Sequence, residues 1–376
     1  MRVLVVWARA DQPNLGVRAL AAGAAIIARE AFPNADVRTH GSGAGAGADP
    51  ANDGPMNIGH LPPLAREVVQ PRRGLREWLT SFDVVVDTRA GDSFSDIYGV
   101  RRLVKMSALP ELAHRWGVPV FMAPQTIGPF RTVRGRVLAR RSLATAAAVC
   151  ARDPESATAA ARLGRPVDAV STDVVFALPA PHVARTRDVV LNVSGLLWDE
   201  TNPHVDAVQY REQSLTLVRA LLDRGRRVTL LPHVLGARGA VGDNDWAAVE
   251  GMLPALGADA VEVAEPASLD DVRQIVGSAA VVVGSRMHAC LNALAMGTPV
   301  VPMAYSRKFG PLLEPLGVTT TVDLRTTRDS AAAVLAQLDR EDLEDEARTA
   351  RARADALLVR SVEVLRSVAA PREGRG

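Results

Sequence analysis

Hydrophobic and polar positions follow two alternating patterns along the chain. Short β-branched runs are separated by longer segments rich in Ala, Leu and Arg, in which apolar residues recur with helical period. This alternation is typical of βα units that build a parallel sheet, so we predict an α/β fold. The strands predicted in the first half are Val3–Trp7, Val84–Asp87, Val118–Met122, Ala147–Cys150 and Val167–Val170, and the helices are Val17–Ala31, Gly99–Trp116, Val133–Ala146 and Pro154–Leu163.

A Pro/Ala-rich stretch over residues 177–185 interrupts this alternation and has the composition of a linker. We predict an N-terminal domain over residues 1–180, a C-terminal domain over residues 187–340, and a charged C-terminal helix with its tail over residues 341–376. The strands predicted in the second half are Asp188–Val193, Arg227–Leu231, Ala260–Val263, Ala280–Val283 and Val300–Met303, and the helices are Asp206–Arg224, Asp245–Leu256 and Leu269–Val276.

Two similar α/β halves joined by a linker predict an interdomain cleft. Ligands of open parallel sheets bind beyond the carboxyl ends of the strands, so we expect the functional residues just after strands. The interval over residues 41–63 is rich in Gly, Ala, Pro and Asn and has no periodicity. It predicts a mobile surface loop.

Composition narrows the classes of protein and partner. The chain of 376 residues carries 44 Lys and Arg against 42 Asp and Glu, a formal net charge of +2, so it lacks the basic excess that nucleic-acid binding requires. Cys150 and Cys290 have no paired spacing, which argues against a disulfide framework or a structural zinc site. The first strand turns polar at once, unlike a signal peptide, and no run of about 18 apolar residues occurs. We expect a cytoplasmic protein without a metal or a transmembrane segment, and the oligomeric state stays open.

The segment Ser285-Arg286-Met287-His288 carries the strongest chemical signal. It follows the apolar run Ala279–Val283 and opens a helical segment, and the turn from a strand to a helix is the usual place for an α/β protein to bind an anion. Lys308 follows the next predicted strand, so it could approach the same ligand from the adjacent loop. The pattern favours a transferase that acts on a phosphorylated or carboxylated donor.

The turn after Val84–Asp87 is a candidate for the acceptor side. Its sequence brings Asp92, Ser93 and Asp96 close together. Asp92 could bind an acceptor hydroxyl or act as a base, whereas Ser95 or Asp96 could cap the next helix.

Three further polar residues follow predicted strands. Gln125 precedes a Gly-Pro turn that would hold it at the sheet edge, where it could contact a ligand. The alternative is that this turn is purely structural. Arg152 could clamp a carboxylate or phosphate, with a salt bridge to Asp153 or Glu155 as the alternative; Asp153 before Pro154 also predicts a helix N-cap. His233 could bind a ligand on the acceptor side or be structural beside Pro232.

The ordered set of these motifs resembles the polysaccharide pyruvyl transferase family. Residues 284–289, 295–299 and 305–308 (GSRMHA, AMGTP and YSRK) are similar to the family's C-terminal signature. Residues 90–99, 125–129 and 151–156 are similar to its N-terminal blocks, and Asn14-Leu15-Gly16 to its opening loop. One departure is Arg89-Ala90, where related sequences are often richer in glycine.

The resemblance implies two Rossmann-like domains arranged as in GT-B glycosyltransferases. It also implies transfer of pyruvate from phosphoenolpyruvate to a saccharide, commonly as a ketal across two hydroxyls, in the biosynthesis of cell-surface or exopolysaccharides. Arg286 and His288 would then contact phosphoenolpyruvate, with Ser285 and Met287 beside them and Arg152 as a second anion contact.

The residue types fit this chemistry. Arg286, Arg152 and Lys308 can hold a carboxylate and a phosphate without a metal or another cofactor. His288 can protonate C3 of the donor, and Asp92 can accept the proton of the attacking sugar hydroxyl.

Two alternatives stay open at this point. One is a GT-B-type glycosyltransferase with a nucleotide-sugar donor, whose diphosphate Arg286 and Lys308 would hold. The other is a non-catalytic carbohydrate-binding protein, for which an aromatic content of 4% offers little surface for sugar stacking. The sequence does not fix the acceptor sugar or its carrier, and a lipid-linked acceptor would make the protein peripheral to a membrane.

Overall fold

The structure is a computed structural model that describes residues 1–9, 14–41, 54–239, 242–257 and 259–368. Contacts between Cα atoms divide the chain into two units. Met1–Ala10, Val17–Leu178 and Ala354–Gly376 form the first, and Asp11–Gly16 and Pro179–Arg353 form the second. Each unit contains a parallel six-stranded sheet with flanking helices, so the α/β prediction is confirmed.

The sheet of the first unit has the strand order β2-β1-β3-β4-β5-β6. Its central strands are buried almost throughout, which explains why their sequences read as continuous apolar runs. The strands are β1 Arg2–Val6, β2 Asp36–His40, β3 Val84–Asp87, β4 Val120–Gln125, β5 Ala148–Ala151 and β6 Ala169–Val170, and the helices are α1 Leu15–Ala31, α2 Leu61–Val69, α3 Leu75–Thr80, α4 Val100–Arg115, α5 Val133–Thr145 and α6 Pro154–Arg162.

The sheet of the second unit has the order β12-β11-β10-β7-β8-β9. The strands are β7 Arg187–Asn192, β8 Val228–Leu230, β9 Glu262–Val263, β10 Ala279–Gly284, β11 Val300–Ala304 and β12 Val322–Asp323. The helices are α7 Gly195–Trp198, α8 Ala207–Asp223, α9 Asp245–Leu256, α10 Leu269–Gly277, α11 Met287–Ala295, α12 Phe309–Leu313 and α13 Ser330–Leu338.

The C-terminal helix α14, Leu343–Val368, contributes residues to both units. In the second unit, Thr320 donates a hydrogen bond to Glu346. In the first unit, Arg366 donates to the backbone oxygens of Glu30 and Ala31 at the end of α1. Within the ranges given above, no helix is both long enough and apolar enough to cross a lipid bilayer.

The structure also contains elements that the sequence pattern did not predict. The edge strand β2 has the sequence DVRTH, which lacks an apolar run. Helix α2 begins at Leu61, inside the interval predicted as a loop, and α3 follows that interval; residues 42–53 of the interval lie outside the described residues. The strand predicted at Val167–Val170 is shorter, since only Ala169 and Val170 pair at the sheet edge.

Candidate functional site

In the second unit, the strand order reverses between β7 and β10, and ligands of open α/β sheets bind at such switch points. Arg286 is the N-cap residue of α11, directly beyond β10. Its backbone N–H donates to Oδ1 of Asn192, at the end of β7, over 2.9 Å. The predicted strand-to-helix turn therefore lies at this switch point.

The guanidinium of Arg286 is held by two carboxylates. Nε donates to Oδ1 of Asp245 over 3.0 Å and Nη2 donates to the same oxygen over 2.6 Å, while Nη2 also pairs with Asp243. Nη1 has no hydrogen-bond partner among the described residues. Burial alone would lower the pKa of Arg286, but the charges of Asp245 and Asp243 outweigh burial and raise it. Arg286 is therefore a permanent cation with one edge left for a ligand.

Asp245 holds together the loops that follow three strands. Besides Arg286, its carboxylate accepts hydrogen bonds from the backbone N–H of Gly195 over 2.8 Å, of His233 over 2.9 Å and of Val234 over 3.0 Å. The side chain is fully buried. Burial alone would raise the pKa of Asp245, but the charge of Arg286 and these hydrogen bonds lower it. Sequence reasoning placed Asp245 at the start of a helix and missed this role.

Two histidines lie close together beside Arg286. His233 is buried, and its Nε2 has no hydrogen-bond partner within the described ranges. Burial, and then the neighbouring charge of His288, lower the pKa of His233 to about 3, so its imidazole is neutral. His288 is half-buried in the first turn of α11. The structure thus brings His233 next to the residues predicted for the donor.

The N-terminal residues of the predicted opening loop also contribute to this site. Asn14 forms an antiparallel bridge with Val234 and accepts a hydrogen bond from the backbone N–H of Gly16 over 2.9 Å. A Cβ added at Gly16 would lie 2.6 Å from Nδ1 of His288. Glycine is required at this position because any larger residue would displace the imidazole.

Ser285 and Met287 flank Arg286 in different environments. Ser285 is fully buried and accepts a hydrogen bond from the hydroxyl of Tyr210 over 2.8 Å, and Tyr210 accepts one from the backbone N–H of Ser194. Burial raises the pKa of Tyr210 to about 12, so it is a neutral donor. Ser285 therefore supports the loop, whereas Met287 is half-buried at the first position of α11.

Lys308 lies at the start of α12 and is half-buried. Burial, and then the charge of Lys308, lower the pKa of His204, so the two side chains are neighbours. The ring of His204 lies 5.2 Å from that of Tyr305, and Tyr305 in turn acts electrostatically on Arg286. Tyr305, in the loop after β11, therefore lies within electrostatic range of Arg286.

In the first unit, the turn after β3 has an unusual backbone. Arg89, Ala90 and Gly91 have φ values of 46°, 50° and 80°, all in the left-handed region. Arg89 is fixed there by a buried ion pair with Asp87, at 2.6 Å. The departure from glycine at Arg89-Ala90 thus retains a glycine-like conformation, which costs free energy in residues with a side chain.

The acidic residues of this turn have different partners. Asp92 is half-buried and accepts a hydrogen bond from the hydroxyl of Tyr98 over 2.8 Å. Asp96 accepts hydrogen bonds from the backbone N–H groups of Arg131 and Thr132, over 2.8 and 2.7 Å. The expectation that Ser95 or Asp96 caps the next helix was wrong, since α4 begins after Gly99 and Asp96 instead stabilises the start of α5.

Burial alone would raise the pKa of Asp96, but the hydrogen bonds from Arg131 and Thr132 outweigh it and lower the pKa. Ser93 is fully buried and accepts a hydrogen bond from Arg102 over 2.9 Å. Both side chains are therefore committed to holding the turn. Asp92 is the acidic side chain of the turn with the greater exposure.

Arg152 and Gln125 lie at the adjacent ends of β4 and β5. Arg152 is buried; it pairs with Asp173 at 2.9 Å and donates to Oγ1 of Thr126 over 2.8 Å. The partner is thus neither Asp153 nor Glu155, and Asp153 is the predicted N-cap of α6. The amide of Gln125 is fully buried, and its Oε1 and Nε2 have no hydrogen-bond partner in the described part of the chain.

These two residues lie beside the Asp92 turn. The backbone N–H of Thr126 donates to the oxygen of Gly91 over 2.9 Å, and a Cβ added at Gly91 would lie 3.5 Å from Nη1 of Arg152.

The described residues contain no group of three or more His, Cys, Asp or Glu side chains that could hold a metal ion. The candidate ligand-binding groups are cations, imidazoles, an amide and the carboxylate of Asp92.

Solved structures of UDP-GlcNAc 2-epimerases are similar to this chain. The enzyme from Neisseria meningitidis bound to UDP-GlcNAc has a TM-score of 0.63 at 11% identity and covers 98% of this chain and 99% of its own. The enzyme from Methanocaldococcus jannaschii has a TM-score of 0.58 at 11% identity, with 91% of this chain and 94% of its own covered. At such identities the likeness shows the fold alone, which is that of GT-B proteins.

Comparison of the sequence with protein families identifies the family of this chain. The model of the family described as polysaccharide pyruvyl transferase matches residues 14–307, and the chain belongs to that family. It is therefore a transferase. No curated protein matches the chain in sequence.

Proposed function

We propose that this protein transfers the pyruvyl group of phosphoenolpyruvate to two hydroxyls of a saccharide, as a ketal, in the biosynthesis of a cell-surface or exopolysaccharide. The observation that supports this most is the arrangement around α11. A buried arginine with one edge available, a half-buried histidine and a neutral buried histidine lie together at the start of a helix. Anions bind favourably at helix N-termini.

The charged groups around Arg286 indicate how phosphoenolpyruvate would bind. Phosphoenolpyruvate carries a carboxylate and a phosphate, and Nη1 of Arg286 can bind one of them. Because the two carboxylates of Asp245 and Asp243 together exceed the single positive charge of Arg286, binding of the two anionic groups needs further cations. Lys308 is proposed to supply one from the loop after β11, and His288 another when it is protonated. The neutral His233 can offer one hydrogen bond without adding charge.

The reaction then needs one acid and one base. His288 would give its proton to C3 of phosphoenolpyruvate, while the oxygen of the first sugar hydroxyl bonds to C2 and its proton passes to Asp92. The bond from C2 to the phosphate oxygen then breaks, the second hydroxyl oxygen bonds to C2, and the proton of that hydroxyl passes to the departing phosphate. Phosphate leaves and the ketal is complete. The reaction uses phosphoenolpyruvate as co-substrate and requires no other cofactor.

On the acceptor side we propose Asp92 and Gln125 as the contacting residues. A buried amide without partners costs free energy unless a water or ligand satisfies it, which favours hydroxyl binding by Gln125. Ser93 and Asp96 are proposed to hold the turn that carries Asp92. Arg152 is proposed to position the loop of Thr126 through its ion pair with Asp173.

Donor choice can be tested by following the melting temperature of the purified protein, since a ligand that binds the folded state raises it. Phosphoenolpyruvate should raise the melting temperature of the wild type and not that of Arg286→Met. UDP-GlcNAc tests the nucleotide-sugar alternative. A shift with UDP-GlcNAc and none with phosphoenolpyruvate would overturn the proposal. Arg360→Met, on an exposed face of α14, is the matched control.

A further inference from the structure

Helix α5 exposes apolar side chains at the centre of its outer face. Val133 and Val137 are 68% and 63% exposed, and residues four apart lie on the same side of a helix. The helical period places Arg134 and Arg141 on one flank of these valines and Arg136 and Arg140 on the other. The buried residues of α5 lie on the opposite side of the helix.

The loop before α4 extends this surface. Asp96 accepts hydrogen bonds from the backbone and hydroxyl of Thr132, so the residues that follow it lie beside the start of α5. These are Ile97 and Tyr98, which are 40% and 43% exposed. The described residues include eight exposed large hydrophobic side chains, and four of them are thus gathered in one place. We call Ile97, Tyr98, Val133 and Val137, with the arginines around them, the basic apolar face.

The charge of this face is mainly positive. Residues 97–110 include Arg101, Arg102 and Lys105, and residues 130–151 include five arginines, with no acidic residue in either segment. The guanidinium of Arg102 lies 5.7 Å from the ring centre of Tyr98. Glu111, which follows the first segment, pairs with Arg141 at 2.9 Å. The apolar side chains are therefore flanked mainly by cations, with one of the flanking arginines paired to Glu111.

We propose that the basic apolar face binds the surface of a lipid bilayer that contains anionic lipids. Apolar side chains of an interfacial helix enter the headgroup region, and flanking arginines meet the lipid phosphates. A second copy of this chain is a poorer partner, because two such faces would bring arginines against arginines. Nucleic acid would use the charge but leave the exposed valines without apolar contacts.

The inference stands apart from the transfer reaction. It also has a consequence that rests on the proposed function. Tyr98 belongs to this face and donates a hydrogen bond to Asp92. A saccharide carried on a membrane lipid would therefore be presented close to the proposed base.

Sedimentation with lipid vesicles tests the proposal. The purified full chain should sediment with vesicles that contain phosphatidylglycerol and not with vesicles of phosphatidylcholine alone, and salt should release it. Arg134→Gln/Arg136→Gln should weaken binding by roughly 25-fold, since each arginine near an anionic surface contributes on the order of fivefold. Val133→Ser/Val137→Ser should weaken it by about tenfold or more, through loss of apolar insertion.

Matched controls use the same substitutions on other exposed surfaces. Val208→Ser/Val359→Ser replaces valines that are 53% and 54% exposed, and Arg76→Gln/Arg360→Gln removes two exposed arginines; both should bind as the wild type does. Circular dichroism confirms that each variant is folded. No binding of the wild type to anionic vesicles would overturn the proposal. Equal losses in the face variants and the controls would do so as well.

Discussion

The ion pair between Arg286 and Asp245 is the part of the donor side whose energetics can be worked out most directly. Asp245→Asn keeps the size of the side chain and removes its charge. Arg286 then stays buried, with only Asp243 as a charged partner. Breaking a buried pair on one side costs about 3–5 kcal/mol, because the remaining charge is left uncompensated.

Asp243→Asn provides the comparison, because it acts on the same guanidinium. The side chain of Asp243 is 50% exposed, whereas that of Asp245 is fully buried. An ion pair screened by solvent contributes up to about 1 kcal/mol. The pKa of Asp245 is lowered in the folded state, so its stabilisation is fully present above about pH 4 and is lost as the pH falls through the folded-state value. A measurement at pH 7 therefore records the whole effect.

Urea denaturation followed by circular dichroism measures both variants, alone and in an Arg286→Met background. Asp245→Asn should lower the free energy of unfolding by at least about 2 kcal/mol more than Asp243→Asn. With Met at position 286 this difference should shrink, because no buried cation is left. The reasoning is refuted if the two variants cost the same. It is also refuted if the cost of Asp245→Asn is unchanged without Arg286.

Three further substitutions test other parts of the structure. The pKa of His233 is lowered to about 3, so below about pH 6.5 the unfolded chain binds more protons than the folded protein, and the free energy of unfolding should fall by about 2 kcal/mol from pH 7 to pH 5. His233→Gln should remove this pH dependence in thermal unfolding. An unchanged pH dependence would contradict a buried neutral imidazole. Asp96→Asn should lower the free energy of unfolding by about 1–2 kcal/mol in urea denaturation, because Asp96 holds the start of α5. If Asp96→Asn lowers it as little as Asp92→Asn, at a half-buried position, this role is contradicted. Ala90→Gly should stabilise the protein by up to about 1 kcal/mol, since φ is 50° at Ala90; a lower melting temperature than that of the wild type would show that the turn is not strained there.

Much of the fold could be predicted because its strands are buried on both faces. Runs such as residues 84–86 and 279–283 are apolar throughout, and the structure places β3 and β10 there. The edge strand β2 could not be found in this way, because it has few apolar side chains to bury. Strands can therefore be predicted from apolar runs where both faces are buried, and are missed at the edge of a sheet.

The candidate site was predictable only in part. Arg286 and His288 stand out because they follow a strand and open a helix, and the structure confirms that local geometry. Asp245 is 41 residues away from Arg286 along the chain, and Asp173 is 21 residues from Arg152. Such partners are set by the order of the strands, which a single sequence does not reveal. Asp96 shows the same limit, since it holds Thr132, the N-cap residue of α5, and not the helix that follows it in the chain.

The central claim is the transfer of a pyruvyl group from phosphoenolpyruvate to a saccharide. The most direct measurement uses mass spectrometry and NMR to identify the products formed from phosphoenolpyruvate and a panel of saccharides. The proteins compared are the wild type, His288→Gln and His182→Gln, a control at an exposed position. The wild type and His182→Gln should release phosphate and yield a saccharide whose NMR spectrum shows a ketal carbon, while His288→Gln should bind phosphoenolpyruvate and form little product. Turnover by His288→Gln close to that of the wild type would contradict the role of His288. Transfer of a sugar from UDP-GlcNAc, with no pyruvylated product from any saccharide, would contradict the claim itself.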